Sequence, residues 1–197
     1  MTRPRGDAGQ AFPIYITVVA GLLFLALAYL AVGQAAANRN GAQTAADAAA
    51  LAAAQDTRRQ LADRWTEVLR DPAKWPDILH GIAQGLVSSC PRAADLAARN
   101  DASITACDEG GLDVRVGVRT DKSVGDSIVP GTENVHSKAE ARAVIDPLCD
   151  VEPPGEDPAD DALPELTCKN DQNWTPDPDD PTSLPEPQDL FRVHLAD

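Results

Sequence analysis

The sequence predicts an α+β protein: a long N-terminal transmembrane helix that runs on into a small domain of helices on an antiparallel sheet, followed by an acidic, proline-rich tail. Three observations predict it. An apolar stretch at 12–33 passes, without an intervening proline after Pro13, into an alanine-rich stretch that reaches Gln55. Leu112, Val114, Val116 and Val118 alternate with Asp113, Arg115, Gly117 and Arg119, the period of a half-buried strand. From Asp150 to Asp197 there are 14 Asp and Glu against Lys169 and Arg192, so that segment carries −12 of the chain's −14.

The chain divides accordingly into an N-terminal arm at 1–11, a transmembrane helix at 12–33, an extended alanine-rich helix at 34–70, a small extracytoplasmic domain at 71–149 and a tail at 150–197. No charged residue stands between Asp7 and Arg39. The most apolar part, Ile14 to Val32, is 19 residues long, near the roughly 20 that cross a hydrocarbon core. Pro13 suits a first helical turn, where its missing N–H is harmless. Arg3 and Arg5 precede the span and Arg39 follows it, a bias that puts the N-terminus in the cytoplasm and the remainder outside. A cleaved secretory signal is the competing reading, with Ala35-Ala36-Ala37 as its small-x-small site.

From Ala35 to Ala54, twelve of twenty residues are alanine, the best helix former. Gly33, Ala37, Gly41, Ala45, Ala49 and Ala53 recur every four residues, and Ala42, Ala46, Ala50 and Ala54 form a second row. Such rows admit the close approach of another helix; alanine also simply sustains a helix. Leu61, Trp65, Val68 and Leu69 then share one face, an amphipathic end suited to docking on a domain. Asp71-Pro72 stops the helix. Unbroken from 13 to 70 it is about 85 Å long, with Gly33 and Gly41 as expected bends.

Pro76 opens an expected second helix to Ser88, striped by Ile78, Leu79, Ile82, Leu86 and Val87. Pro91 opens a third, Arg92 to Arg99, capped by Asn100. Strands are expected over 102–106 and 112–119, joined through Asp108-Glu109-Gly110-Gly111. Over 138–146 a helix is the competing reading, but the alternation of Ala139, Ala141, Ala143 and Ile145 suits a third antiparallel strand better. A loop holding Gly125, Pro130 and Gly131 fills Thr120 to Ser137. A hairpin alone is marginal in water; the amphipathic helix end and the second helix are expected to cover the sheet. Phe191, Val193 and Leu195 alternate as a possible returning edge strand. The tail itself, with nine prolines between Asp150 and Gln188, is expected to be solvated and partly disordered.

Cys90, Cys107, Cys149 and Cys168 lack any Cys-x-x-Cys, which excludes zinc-ribbon and thioredoxin patterns. An even number beyond a membrane span suggests disulfides in an oxidising compartment. Four cysteines allow three connectivities; sequential pairing would close the 90–107 unit and pin a proline-rich loop between Cys149 and Cys168.

No catalytic, cofactor-binding or metal-binding set is expected. The acidic tail disfavours nucleic acid as a partner. His80, His136 and His194 are scattered, and Gly-x-Ser-x-Gly, Walker A and dinucleotide fingerprints are absent. Asp171 and Asp177, Asp179 and Asp180 cluster, but prolines interrupt them and EF-hand spacing is missing.

Two stretches resemble the TadE/TadG-like family of Flp (Tad) pilus-assembly proteins. The first is Gly9-Gln10 before the span, then Arg39-Asn-Gly-Ala-Gln-Thr-Ala-Ala-Asp-Ala-Ala-Ala-Leu-Ala-Ala-Ala54. The second is Cys90-x-x-Ala93-x-x-x-Ala97-x-x-Asn100 up to Cys107, then Gly111-Leu-Asp-Val-Arg-Val116, which is similar to the cysteine-bearing, actinobacterial-type branch. The resemblance implies a pilin-like domain, no enzymatic activity, and other Tad/Flp assembly proteins as partners of the N-terminal helix. Processed pseudopilins of this type carry a glutamate at the fifth position after the cleaved glycine. Counting from Gly9 that position is Ile14, and from Gly6 it is Ala11. The resemblance therefore points to a minor pseudopilin-like, TadG-like protein retained in the cell membrane. The alternative is a single-pass surface-display protein whose domain or acidic tail binds an extracellular partner.

Overall fold

The computed structural model describes residues 11–123, 134–151, 163–169 and 172–196. Arg3, Arg5, Gly125, Pro130, Gly131 and Asp171 of the sequence reading lie outside them. The first element, α1 (Ala11–Glu67), is one helix of 57 residues, about 85 Å at 1.5 Å per residue. It passes through Gly33 and Gly41 without interruption, so neither glycine breaks it. It ends before residue 70: the Trp75 indole N–H donates to the Val68 carbonyl at 3.3 Å, and Asp71 N–H bonds the same carbonyl at 2.8 Å.

A 3₁₀ turn (Pro72–Lys74) leads into α2 (Trp75–Leu79). The expected second helix to Ser88 is thus only five residues long. Gly81 and Gly85 both adopt φ +77°, a conformation L side chains rarely take. At Gly81 an added Cβ would also sit 2.8 Å from the Leu112 side chain. The chain turns out of the helix there, and Ile82 and Val87 are exposed rather than part of an apolar stripe. The third helix, α3 (Cys90–Arg99), starts with Pro91 at its first turn and is closed by Asn100, whose side chain donates to the Leu96 carbonyl at 2.8 Å.

Four antiparallel strands form the main sheet in the order β1 (Ala102–Glu109), β2 (Asp113–Thr120), β3 (Lys138–Pro147) and β7 (Phe191–Leu195). β1 runs three residues beyond the expected 102–106 and carries a bulge between Ile104 and Ala106. Val116 sits between Cys107 and Ala141, and Val114 between Glu109 and Ala143. β7 pairs with the second half of β3, Ile145 opposite Val193 and Pro147 opposite Phe191. The alternate residues Val114, Val116, Val118, Ala143, Ile145 and Phe191 are buried on one face. The second half of α1 lies across that face and packs on β2, β3, β7 and α3. Its far end is closed by Trp65 and Trp75, both buried, with ring centroids 5.1 Å apart at 57°.

The described part of the tail is anchored to the domain at a few apolar residues, although acidic residues such as Glu165, Asp177, Asp179, Asp180 and Glu186 stay exposed, as expected of a solvated segment. β4 (Cys149–Val151), β5 (Leu166–Cys168) and β6 (Asn173–Trp174) make a second, three-stranded sheet. Leu166, Leu190 and Phe191 are fully buried, and the short helix α4 (Pro187–Leu190) delivers the last two into the core. These few apolar residues, spaced among many acids and prolines, anchor the segment although its average composition is that of a solvated chain.

Candidate membrane and assembly interface

The long helix α1 has two halves with opposite surroundings. From Phe12 to Gly41 its side chains are exposed apart from partial cover at a few positions. Among the described residues, all the exposed large apolar side chains except Ile82, Val87 and Val135 lie between Phe12 and Val32, with Phe24 at 71% and Tyr29 at 83% exposure. α1 is the one helix among the described residues long and apolar enough to cross a membrane, and none of its most apolar window is buried in the protein. An apolar surface of this size in water is unfavourable by roughly 25 cal/mol per Å²; lipid removes that cost. Inside the span the Thr17 hydroxyl is satisfied by the helix itself, Oγ1 donating to the Pro13 carbonyl at 2.8 Å, as a polar group in hydrocarbon requires.

From Ala42 onward the helix is core. Ala42, Ala45, Ala46, Ala49, Ala50, Ala53 and Ala54 are all at 0% exposure. Their small side chains bring the α1 backbone close to the sheet on one side and to Ala93 and Ala97 of α3 on the other. The every-fourth-residue row of the sequence is therefore divided. Ala45, Ala49 and Ala53 face the chain's own core, where a partner helix could reach them only by opening the domain. Gly33, Ala37 and Gly41 remain exposed, and a Cβ added at Gly33 or Gly41 meets nothing within 4 Å.

The four cysteines pair in chain order. Cys90 and Cys107 tie the first turn of α3 to β1 (Sγ–Sγ 1.95 Å, Cα–Cα 6.0 Å). Cys149 and Cys168 are opposite each other in the β4–β5 pair and are bonded at 1.98 Å.

A polar knot that sequence reasoning missed holds α1, α3 and β1 together. Ser89, fully buried, lies 2.9 Å from Thr57 Oγ1 and accepts from Gln60 Nε2 at 3.2 Å. The Glu109 carboxylate accepts from Ser89 N–H at 2.7 Å and from Ser88 Oγ–H at 2.7 Å. Beside it, burial pushes the Asp56 carboxyl up, but hydrogen bonds from Arg59, Gln60 and Ser89 outweigh burial and hold it below its ordinary value. The only sequence trace of this knot is Asp56-Thr57 interrupting the alanines.

The outer face of the main sheet carries ion pairs. Asp113 pairs with Arg142 and Arg115. Asp146 lies 2.9 Å from Arg192 and 3.6 Å from His194; the Arg192 hydrogen bond chiefly keeps its carboxyl below the usual range. Asp177 and Asp180 are taken up by their own loop, Asp177 accepting from Asp179 N–H and Asp180 from Thr182, while Asp179 accepts from Arg70 at 2.8 Å. No group of three or more His, Cys, Asp or Glu able to hold a metal occurs among the described residues. What the arrangement offers is an apolar shaft, a short exposed collar of small residues and a closed, cross-linked domain.

No curated protein and no solved structure matches the chain. Residues 9–56 match the family model described as "Putative Flp pilus-assembly TadE/G-like", and over that stretch, which holds the apolar span and the alanine-rich helix, the chain is similar to this pilus-assembly family.

Proposed function

We propose that the chain is a minor pseudopilin-like, TadE/TadG-like component of a Flp (Tad) pilus-assembly apparatus, anchored by a single membrane pass, with its disulfide-bonded domain outside the cytoplasm and no catalytic activity of its own. The observation that carries the reading is the division of α1: a naked apolar shaft that continues, as the same helix, into the core of a closed domain. The family match over residues 9–56 supports a pilus-assembly role. The two disulfides support an oxidising compartment for the domain. The exposed collar of Gly33, Ala37 and Gly41 is the face offered to a partner helix of the assembly.

Membrane fractionation with N-terminal sequencing tests the anchor. An intact chain in the membrane supports it; a new start at Gln10 would mean pilin-type processing, and a soluble chain starting near Asn38 would mean secretion. Co-purification with Tad-system proteins tests the assembly role. Gly33→Leu with Gly41→Leu is expected to disrupt the complex while the domain stays folded, and an unchanged complex would remove the collar from the account.

A further inference from the structure

We infer that one pole of the domain, formed by the Thr120–Ser123 turn, Val135 and Arg39, rests on the phospholipid headgroups of the membrane that α1 crosses. The inference rests on the membrane-anchor reading of α1. Distance carries it. The last large apolar residue of the span is Val32, and the first helix side chain hydrogen-bonded to the domain among the described residues is Asn38. Its amide donates to the Ser123 carbonyl at 2.9 Å, and its amide oxygen accepts from Thr120 Oγ1 at 3.2 Å. Six helical residues separate Val32 from Asn38, about 9 Å along the axis. The headgroup layer on each side of the hydrocarbon is itself about 5–7 Å thick. Because the helix is continuous through this interval, the gap is set by helical geometry and not by a linker.

Several elements converge on Asn38. Thr120 N–H bonds the Ser137 carbonyl at 2.9 Å, and His136 Nδ1 lies 2.8 Å from the Thr120 carbonyl. Asp121 N–H bonds the Asp101 carbonyl at 2.8 Å. The start of β1, the end of β2 and the start of β3 therefore share this pole. Its surface suits a headgroup layer. Lys122 has a side chain 78% exposed and pairs with Asp101 at 3.4 Å, Arg39 is exposed, and Val135 is, among the described residues, one of three large apolar residues exposed outside the span, at 48%. Cations and carboxylates stand side by side, which matches the zwitterionic headgroups of phosphatidylcholine. The acidic Asp177–Asp180 loop lies at the other end of the domain, where Asp179 pairs with Arg70 just past the end of α1, the helix end being about 44 Å from Asn38.

The test uses the full chain in phosphatidylcholine vesicles containing a lipid with a nitroxide quencher on its headgroup. The native tryptophans, Trp65, Trp75 and Trp174, belong to the far end and serve as an unquenched reference. Val135→Trp, and separately Lys122→Trp, places a tryptophan on the pole; Val32→Trp places one at the end of the span. The expected result is an unquenched wild type and loss of about one quarter of the emission, one tryptophan in four, in all three variants. Quenching of Val32→Trp with both pole variants behaving as wild type would overturn the docking while leaving the anchor standing. Absence of quenching in Val32→Trp would overturn both.

Discussion

Residues 12–41 and 42–67 of α1 are one helix with one backbone geometry, yet they answer to different solvents. In the first half large side chains, Leu22, Leu23, Phe24, Leu25 and Leu30, point outward on every side and stay exposed. In the second half seven alanines are completely covered, because the sheet and α3 come so close that larger side chains have no room. Size, rather than helix propensity, separates a lipid-facing helix from one wrapped by its own domain. The charges agree: Arg39 stands at the border, and Asp56, Arg58 and Arg59 appear only where the domain or solvent can accommodate them.

Substitutions along α1 sharpen this contrast. Trp65→Ala, which removes a fully buried ring packed on Trp75, is expected to destabilise the domain by about 3–5 kcal/mol. Phe24→Ala in the span should leave domain stability unchanged. Chemical denaturation of the detergent-solubilised chain measures both, and equal effects would erase the distinction. Removing the Cys90–Cys107 bridge with a pair of serines opens a loop of 17 residues, worth about 3 kcal/mol in the chain-entropy model; the midpoint shift of the same denaturation reads it.

Overpacking comes next. Ala49→Leu forces extra carbons between α1 and its cover and should cost about 1–3 kcal/mol, whereas Gly33→Leu should not destabilise the domain and should instead weaken partner association. A domain indifferent to Ala49→Leu would return that alanine to the partner-facing role. The smallest effect is at Asp56. Its carboxyl titrates below its ordinary value in the folded chain, so its contribution is present above the unfolded pKa of about 4 and is lost as pH falls through the lower folded value. Asp56→Asn should therefore flatten the acid limb of the stability-versus-pH curve and leave the curve's shape near neutrality unaltered.

The elements most legible in the sequence were those with a strong period. The span, the amphipathic Leu61–Leu69 end and the alternating strands around Val116 and Ala141 each state their environment in the spacing of apolar residues. The alanine rows were legible as close packing but silent about the partner, since a neighbouring chain and the chain's own sheet demand the same small side chain. The helix expected to reach Ser88 failed because its apolar spacing continues through Gly81 and Gly85, whose positive φ is a property of the fold around Leu112 and not of the period. The anchors of the tail were hidden because Leu166, Leu190 and Phe191 are few among many acids, and averages over a window dilute them. The Ser89 knot had no signature beyond Asp56-Thr57 interrupting the alanines of α1, since Ser88 and Ser89 are ordinary loop residues.

The central claim is that α1 is a membrane shaft continuous with the core of its domain. Its most direct test is alkaline carbonate extraction of membranes, followed by N-terminal sequencing of the full-length product. The account predicts that the chain, with residues 12–33 still attached, resists extraction and stays in the membrane pellet. A product released into the supernatant and beginning near Asn38 would contradict it.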